Sequence, residues 1–451
     1  MGYRQDRSRA VDTGEAMKAP RPRKVIFVNR YFFPDVSATS QMLSDLAVRL
    51  AQAGVDVHVI CSRQLYEDAA AGLPPRERVQ GVEVHRVWTA KFGRASLRGR
   101  ALDYASFYLM ATTRLWSLLR GGDVAVVKTD PPLLSVPAAA VVALRGAKLV
   151  NWLQDVFPEV ASHLGVARLP VFIHTGLQAV RDRSLVFAKA NVVLGARMRD
   201  YLARRDIEPE TLHIIENWAD GAAVVPKPAS ESALRTRLGL QRRFVVEYSG
   251  NLGRAHEFDT LLAAAHELRN DPAFAFLMIG GGAGMRALQL CVRESGLTNF
   301  HFLPYQPREA LADGLAAADV HLASLLPALE GLIVPSKIYG ILAAGRPAVF
   351  IGDADGEIAL LLREAKCGLS VRCGEGAALA DALRGLQRDT ELARSMGRNA
   401  RAAFETAFTL DGAARKWIHL LRSLGATPDN ASVCNAPDIV KPYSSAAQQS
   451  L

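Results

Sequence analysis

Short apolar runs alternate with amphipathic helical segments along most of the chain. The first run, 25–28, precedes a helical pattern over 41–52 and a second run over 55–60. This alternation is typical of parallel sheets built from strand–helix–strand units. Further strands are predicted at 124–127, 148–153, 244–248, 274–279, 299–303 and 348–351, and helices are predicted from Pro131-Pro132, at 258–269, at 285–294 and within 376–424.

Proline and serine interrupt this periodicity near 220–242, so we expect two successive Rossmann-like α/β domains. The predicted divisions are a disordered leader (1–22), a first domain (23–222), a second domain (223–410), a last helix (411–424) and a disordered tail (425–451). Ligands of such sheets bind beyond the carboxyl ends of the strands. The loops that follow the strands are therefore the segments to inspect.

Composition agrees with two packed domains and adds an asymmetry of charge. The 451 residues are 49% hydrophobic and 22% charged, which excludes a disordered polymer. Residues 1–200 hold 28 Lys and Arg against 17 Asp and Glu, which is a net charge of +11. Because the whole chain carries +9, residues 201–451 carry −2. The first half is thus expected to face nucleic acid, a membrane surface or a phosphorylated ligand.

Five scattered cysteines without a CxxC pair indicate neither a disulfide framework nor a zinc site, and they favour a reducing cytoplasm. No secretory signal is expected at the N-terminus, and no window approaches about 18 uninterrupted apolar residues. We therefore expect a soluble or peripheral cytoplasmic protein.

Two loops of the first half carry small and polar residues next to predicted helix N-termini. In the loop 31–40, a ligand could approach the free N–H groups of the following helix, or Ser40 could simply cap that helix and Asp35 stabilise a turn. The loop 152–159 brings Asp155 and Glu159 to one loop–helix junction, and Asp155 could also be only a capping residue.

The loop 248–256 of the second half joins a strand, a glycine-bearing turn, Arg254 and a helix N-terminus. Backbone donors with one fixed cation suit a diphosphate, although the spacing of a Walker loop is absent. The alternative is an ordinary turn with a solvated Arg254.

Two further loops of the second half extend this candidate site. The glycines of 280–284 resemble a dinucleotide fingerprint, but 300–306 lacks the acidic residue that NAD binding requires, so close approach to a nucleoside or diphosphate is the better interpretation. In 329–347, Glu330 lies in a loop that opens a helix, and Lys337 lies in the first turns of that helix. A carboxylate and a lysine at a strand end suit hydroxyl and phosphate recognition.

Taken in order, segments 31–40, 154–159, 250–256, 280–284, 302–306, 317–320 and 330–347 resemble glycosyltransferase family 4, and in particular its bacterial branch that builds exopolysaccharide, colanic-acid and O-antigen repeat units. The resemblance covers roughly 24–424. It implies a GT-B fold, in which an acceptor domain and a nucleotide-sugar domain face each other across a cleft and the last helix returns to the first domain. It also implies sugar transfer with retention of configuration, without a bound metal or other cofactor.

The family pattern also assigns roles to residues of this chain. It implies that Asp155, Arg254, Lys337 and Glu330 carry the reaction, with Arg254 and Lys337 stabilising the departing diphosphate. Residues expected to bind the donor are Gly250, Asn251, Gly253, Arg254, His256, Gly281, Gly282, Tyr305, Gln306, Glu330, Gly331, Ser336 and Lys337. Residues expected to bind the acceptor are Asp35, Ser37, Thr39, Gln154, Asp155 and Glu159.

Four positions depart from the family pattern. The usual arginine and lysine of the phosphate loop fall at Asn251 and His256, so Arg254 acts from a shifted position and His256 assists if it is protonated. The second acid of the Glu-x7-Glu element is replaced by Gly340. Gln154 stands where other members carry histidine.

The segment 91–120 places basic residues before an apolar helix face. In one interpretation, the segment is a core helix preceded by solvated basic residues. In the other, it is a docking surface for an anionic membrane and a polyprenyl-diphosphate-linked glycan. The expected partners are therefore a nucleotide sugar, a lipid-linked acceptor and the inner face of the cytoplasmic membrane, and not nucleic acid. A GT-B nucleotide-sugar epimerase and a non-enzymatic anionic-polymer-binding protein are the alternatives. The apolar face comprises Tyr104, Phe107, Tyr108, Ala111, Leu115, Leu118 and Leu119, and the basic residues are Arg94, Arg98 and Arg100.

Overall fold

The computed structural model describes residues 23–92, 97–166, 170–427 and 431–432. The predicted leader, most of the predicted tail and Arg94 lie outside these residues.

Eight strands of the first half form one sheet. They are β1 (Lys24–Val28), β2 (Asp56–Ser62), β3 (Arg76–Val79), β4 (Val82–Val87), β5 (Val124–Lys128), β6 (Lys148–Trp152), β7 (Ala190–Val193) and β8 (Leu212–Ile214). Their order is β3-β4-β2-β1-β5-β6-β7-β8, and every neighbouring pair is parallel except β3 with β4. The helices of this half are α1 (Ala38–Gln52), α2 (Leu97–Leu118), α3 (Ser135–Arg145), α4 (Glu159–His163), α5 (Val171–Phe187) and α6 (Ala196–Ala203).

Six strands of the second half form an all-parallel sheet. They are β9 (Phe244–Asn251), β10 (Phe274–Gly281), β11 (Phe300–Leu303), β12 (Val320–Ser324), β13 (Ala348–Ile351) and β14 (Gly368–Val371), in the order β11-β10-β9-β12-β13-β14. The helices are α7 (Ala233–Arg237), α8 (Asp259–Glu267), α9 (Ala283–Glu294), α10 (Leu311–Ala316), α11 (Lys337–Ala343), α12 (Glu357–Glu364), α13 (Gly376–Arg388), α14 (Thr390–Ala407) and α15 (Leu410–Ser423).

The central strands are apolar on both faces because helices cover both sides of a parallel sheet. Along β1, Val25 and Phe27 belong to one buried cluster, whereas Ile26 and Val28 belong to the cluster on the opposite face. This two-sided burial explains why β1 has a continuous apolar sequence rather than an alternating one.

The last helix, α15, packs on the first half of the chain. Its Trp417 is fully buried, with ring centroids 6.1 Å from Phe27 and 5.0 Å from Trp152. At the start of the same helix, Asp411 accepts a hydrogen bond from Arg49 of α1 at 2.6 Å. The chain thus passes through the second half, and α15 returns to the first sheet.

The structure corrects two expectations about local structure. The helix predicted to open at Pro131-Pro132 begins at Ser135, after a turn. The first residues of the predicted tail are packed, since Ala426 and Ala431 are 2% and 4% exposed within the core of the first half. Two strands of the second half are also longer than predicted: β9 reaches Asn251 and β10 reaches Gly281, so both glycine-rich loops begin as paired strand.

The two halves meet at the carboxyl ends of their sheets. The order of the parallel strands reverses between β1 and β5 in the first sheet and between β9 and β12 in the second, and ligands of α/β sheets bind beyond such reversal points. The loop after β6 contacts the second half there: the Val156 N–H donates to the Leu332 carbonyl at 3.0 Å, and Asp155 forms a backbone bridge with Ile333. The protein is therefore an α/β structure of GT-B type, with two Rossmann-like domains facing across a cleft.

Candidate active site

Lys337 places a buried cation at the reversal point of the second sheet. It is the first residue of α11, and its Nζ is buried without a hydrogen-bond partner among the described residues. The Nζ lies 3.4 Å from the ring centroid of Tyr248 at the end of β9. Burial holds the pKa of Lys337 well below its usual range, because the ring supplies only part of the stabilisation that water would give. An anionic ligand would complete this site.

Gly250 forms part of the surface above Lys337. Its φ of 122° is a conformation that other residues rarely adopt, and a Cβ there would lie 3.8 Å from Lys337 Cε. A side chain at this position would therefore contact the Lys337 side chain next to its ammonium group. Asn251 and Arg254 of the same loop are exposed. Within the described chain, the Arg254 guanidinium has no hydrogen bond or ion pair, so it is available to a ligand.

The glycines at the end of β10 and directly after it serve chiefly to pack the two glycine-bearing segments together. A Cβ at Gly280 would lie 2.2 Å from the Gly250 carbonyl oxygen, and one at Gly282 would lie 2.3 Å from Asn251 Oδ1. Gly281 accepts a hydrogen bond from Leu252 N at 2.8 Å. Close approach of backbone, which we expected toward a nucleoside, occurs here between neighbouring loops.

His256 lies beside the lysine in a neutral state. Its Nδ1 donates to the Ser324 carbonyl at 2.6 Å, which joins the loop after β9 to the end of β12. Burial, together with the nearby Lys337 charge, lowers the pKa of His256 to about 3. The prediction that a protonated His256 assists phosphate binding therefore does not hold in the unliganded protein.

Glu330 is half-buried in the loop before α11. Its Oε1 accepts a hydrogen bond from the Glu357 N–H at 2.8 Å, at the N-terminus of α12. Burial and the negative charges of Glu357 and Asp353 raise its pKa. A carboxyl group held in this way presents its remaining lone pairs to hydroxyl groups. Gly331 follows with φ 75° and approaches the Arg197 carbonyl of the first half.

Tyr305 and Gln306 form the far edge of the candidate donor site. Tyr305 is 59% exposed, and its ring packs on Gly281, where a Cβ would lie 3.1 Å from Tyr305 Cε2. The Gln306 side chain donates to the Pro304 carbonyl at 2.9 Å. Gly253 accepts from the His256 N–H, and exposed Ser336 precedes α11. The structure thus brings the predicted donor residues to the carboxyl ends of β9, β10, β11 and β12.

Asp35 and Ser37 are engaged in ordering their own loop. The Asp35 carboxylate accepts hydrogen bonds from the N–H and hydroxyl of Ser37 and from the Tyr66 N–H, and the residue is 3% exposed. These contacts favour the turn-stabilising interpretation of Asp35 over direct contact with an acceptor.

Glu159 is likewise occupied by contacts within the first half. Its carboxylate accepts two hydrogen bonds from Arg181, at 2.8 and 3.1 Å, and one each from Gln178 and Tyr201. Although burial alone would raise its pKa, these partners lower it. Glu159 is 5% exposed, and its geometry is that of a structural ion pair rather than of an acceptor ligand.

Asp155 and Gln154 lie where the two halves touch. Asp155 Oδ1 is buried without a hydrogen-bond partner among the described residues, and burial raises the pKa of Asp155 to about 6, with a smaller contribution from Asp130. A cavity of about 30 Å³ beside it, lined also by Lys128 and Thr129, has room for a water molecule. The Gln154 amide exchanges two hydrogen bonds with Asn217.

Lys128 and Asp130 form a polar group that the sequence did not single out. Thr39 joins them, because its hydroxyl donates to Asp130 Oδ2 at 3.2 Å and its carbonyl accepts from Lys128 Nζ at 2.9 Å. Lys128 is 1% exposed and its Nζ lies 3.9 Å from the Trp152 ring centroid; burial lowers its pKa to about 7. Lys128 ends β5 and Asp130 follows it, at the reversal point of the first sheet, and this position was the available signal.

The segment 91–120 contains the buried face of α2. Phe107, Ala111 and Leu115 of α2 are at most 1% exposed, and they pack in the core of the first half. The apolar face that we considered for membrane docking is thus the core face. None of the described helices is long and apolar enough to span a bilayer.

Comparison with known proteins agrees with this architecture. Residues 37–218 match the family described as "Glycosyl transferase 4-like domain", and residues 230–403 match "Glycosyl transferases group 1". The chain is 29% identical over 285 residues to the probable glycosyltransferase WbjE of Pseudomonas aeruginosa, covering 63% of this chain and 70% of that protein. It is 26% identical over 360 residues to the putative colanic acid biosynthesis glycosyl transferase WcaI of Escherichia coli, covering 75% and 85%.

A solved structure shows the same fold. Anabaena HepE in complex with UDP-glucose superposes with a TM-score of 0.66 at 17% identity, covering 89% of this chain and 99% of that one. The first matched family lies on the first domain and the second lies on the second domain. The chain therefore belongs to the GT-B glycosyltransferases of family 4.

Proposed function

We propose that the protein transfers a sugar from a nucleotide-sugar donor to a lipid-linked glycan during bacterial surface polysaccharide synthesis, with retention of configuration and without a metal. The observation that carries the donor part is the Lys337 ammonium at the reversal point of the second sheet, which has no hydrogen-bond partner among the described residues. A buried cation without a partner is unfavourable, and a diphosphate would supply the missing charge. HepE, a structural neighbour, holds UDP-glucose, which makes UDP sugars the first donors to test.

The roles within the site follow from burial and position. Arg254 reaches the diphosphate from the exposed rim, and Lys337 contacts it from below. Both stabilise the charge that develops as the sugar leaves. Glu330 holds donor hydroxyls, and the backbone near Tyr305 and Gln306 holds the base. Asp155, across the cleft, contacts the acceptor hydroxyl, while Asp35, Ser37, Thr39, Gln154 and Glu159 shape the acceptor side.

Membrane docking is proposed for the outer surface of the first half. Leu102, Leu109 and Trp116 are 53%, 64% and 44% exposed, and their spacing of seven residues places them in one row along α2. Helix α5 has a similar outer surface, on which Phe172 and Val186 are 76% and 65% exposed. We call these five residues the apolar ridge.

Basic residues accompany the apolar ridge. Arg98 and Arg120 are exposed near the ends of α2, and Arg183 is exposed on α5. Apolar side chains with adjacent cations suit the headgroup region of an anionic bilayer, where a lipid-linked acceptor would lie. The name of one relative, the putative colanic acid biosynthesis glycosyl transferase WcaI, supports a role in polysaccharide synthesis. We propose the cytoplasmic face of the membrane as the place of this reaction.

Turnover with defined donors tests the donor proposal. Purified protein is incubated with UDP-, GDP- or dTDP-sugars and with membrane lipid extract, and both nucleotide release and sugar incorporation into lipid are measured. We expect one donor class to be consumed only when lipid acceptor is present. Donor conversion without acceptor would favour the epimerase alternative, and absence of nucleotide binding would contradict both enzymatic functions.

A further inference from the structure

Two carboxylates connect the proposed donor site to the first half of the protein in series. The Glu330 carboxylate accepts from the Glu357 N–H at 2.8 Å, and the Glu357 carboxylate accepts from the Arg197 N–H at 2.8 Å. Arg197 lies at the N-terminus of α6, in the other half of the chain. Each carboxylate therefore satisfies a free N–H at the start of a helix, where negative charge is favoured.

Three glycines make room for these contacts. A Cβ at Gly195 would lie 2.3 Å from Glu357 Cδ, and a Cβ at Gly356 would lie 2.5 Å from Glu330 Oε2. A Cβ at Gly331 would lie 3.0 Å from the Arg197 carbonyl oxygen. Side chains at these positions would displace the carboxylates or separate the halves.

Arg197 adds a second contact across the same boundary. Its guanidinium donates to the Asp355 carbonyl, in the loop before α12. Two hydrogen bonds thus join the start of α6 to the start of α12. In one, a backbone N–H of the first half meets a side chain of the second; in the other, a side chain of the first half meets a backbone carbonyl of the second.

We propose that Glu357 is a positioning residue that couples closure of the two halves to the orientation of Glu330. The inference rests on the proposed function, in which Glu330 holds hydroxyls of the donor sugar. Because one residue contacts Glu330 through its N–H and α6 through its carboxylate, separation of the halves shifts the group that orients the sugar. The nucleotide contacts at Lys337 and Arg254 are not part of this connection.

The first test compares E357A with E357Q and with the control E364A. Glu364 is exposed on the same helix, so its substitution removes the same charge without touching the boundary. We expect E357A to lower kcat about 10- to 100-fold while the Kd for UDP changes less than about twofold, since only orientation is lost. E357Q keeps an oxygen that accepts from Arg197 N–H and should recover most of kcat. An unchanged kcat in E357A, or a Kd for UDP that rises in parallel with the fall in kcat, would overturn the proposal.

A second variant opens the same contact from the other half. Gly195 has φ −177°, which alanine adopts without strain, so the effect of G195A is confined to displacement of the Glu357 carboxylate. G195A should reproduce the kcat loss of E357A, and the double variant should be no slower than either single one. If the kcat losses of the two single variants multiply in the double variant, the proposal is overturned.

Small-angle scattering separates this inference from the proposed function. We expect E357A and G195A to have a larger radius of gyration than wild type and E364A, with all four proteins showing the same melting temperature. This expectation does not depend on which sugar the enzyme uses. Equal radii would overturn the coupling even in an active enzyme. An inactive wild type with the expected radii would instead contradict the proposed function alone.

Discussion

The Nζ of Lys337 lies 3.4 Å from the ring centroid of Tyr248, without a hydrogen-bond partner among the described residues. The contact is attractive but does not replace the hydration that burial removes. In the unliganded protein this lysine therefore reduces stability, and a bound anion would reverse that cost. Stability and activity are expected to respond in opposite directions when Lys337 is replaced.

Lys337→Met should stabilise the unliganded protein by about 1 to 3 kcal/mol, because it removes a desolvated polar group and keeps most of the side-chain volume. The same variant should lose the transfer reaction. The exposed Lys366 provides a control, since K366M removes one charge from the same half. Denaturant unfolding measures the gain, and a lower free energy of unfolding in K337M than in wild type would contradict it.

UDP binding should take up protons at alkaline pH. Burial lowers the pKa of Lys337 in the free protein, and a diphosphate beside the ammonium would raise it again. Between the free and bound pKa values, binding therefore adds up to about one proton. Calorimetry in buffers of different ionisation enthalpy measures this uptake, which should disappear in K337M. Equal heats in all buffers for wild type would refute it.

Arg254→Ala should lower the transfer rate by a factor of about 10² or more, the scale of losing one charge-stabilising donor. Because Arg254 is exposed and has no partner in the described chain, its removal should leave the melting temperature unchanged. Arg269, exposed beyond the end of α8, is a suitable control position. Single-turnover rates and thermal unfolding together test this, and near-normal turnover in R254A would reject its role.

Asp155→Asn should remove a pH dependence of stability. Burial raises the pKa of Asp155 to about 6, so between its unfolded value near 4 and about 6 the folded state binds more protons than the unfolded state. Stability therefore falls as the pH rises through this window, and the cost is fully present at pH 8. D155N should be more stable than wild type at pH 8 and not at pH 4.

The same substitution tests the role of Asp155 in transfer. If its carboxylate accepts a hydrogen bond from the acceptor hydroxyl, kcat/KM for acceptor falls as the pH drops below about 6. In D155N the rate should be lower and this inflection absent. An inflection near pH 6 that persists in D155N would assign it to another group.

Replacing Leu109 and Trp116 of the apolar ridge with serine should release the protein from phosphatidylglycerol vesicles while UDP affinity stays unchanged. L290S is the control, since Leu290 is 54% exposed in the second half. Replacing Arg94, Arg98 and Arg100 with serine should weaken binding by about 1 kcal/mol per cation near the surface. Flotation assays measure both, and unchanged membrane association would argue against docking through α2.

The sequence predicted three of the four strands that bear the donor site, β9, β10 and β11, because apolar runs of parallel strands are conspicuous. It did not predict β12, the strand that Glu330 and Lys337 follow. It identified the apolar face of α2 but left open whether that face packs in the core or docks on a membrane. Apolar residues occur around most of that helix, and only packing against the sheet distinguishes Phe107 from Leu109. The short edge strands β3 and β8 also lacked a continuous apolar signal.

Candidate residues were easier to find than their partners. Arg254, Lys337 and Glu330 follow strands and were therefore recognisable. Asp35 accepts a hydrogen bond from Tyr66, and Glu159 accepts one from Arg181. These partners lie 31 and 22 positions away along the chain, so no local pattern reveals them. The neutral state of His256 likewise follows from burial, which the sequence does not show.

Transfer by wild type and K337M tests the central claim most directly. The measurement is sugar incorporation into lipid-linked acceptor, with equimolar nucleotide release, from the donor identified in the screen. We predict stoichiometric transfer by wild type and by K366M, and a rate at least about 10²-fold lower in K337M, although K337M is the more stable protein. Equal transfer rates in wild type and K337M would contradict a diphosphate site built on Lys337.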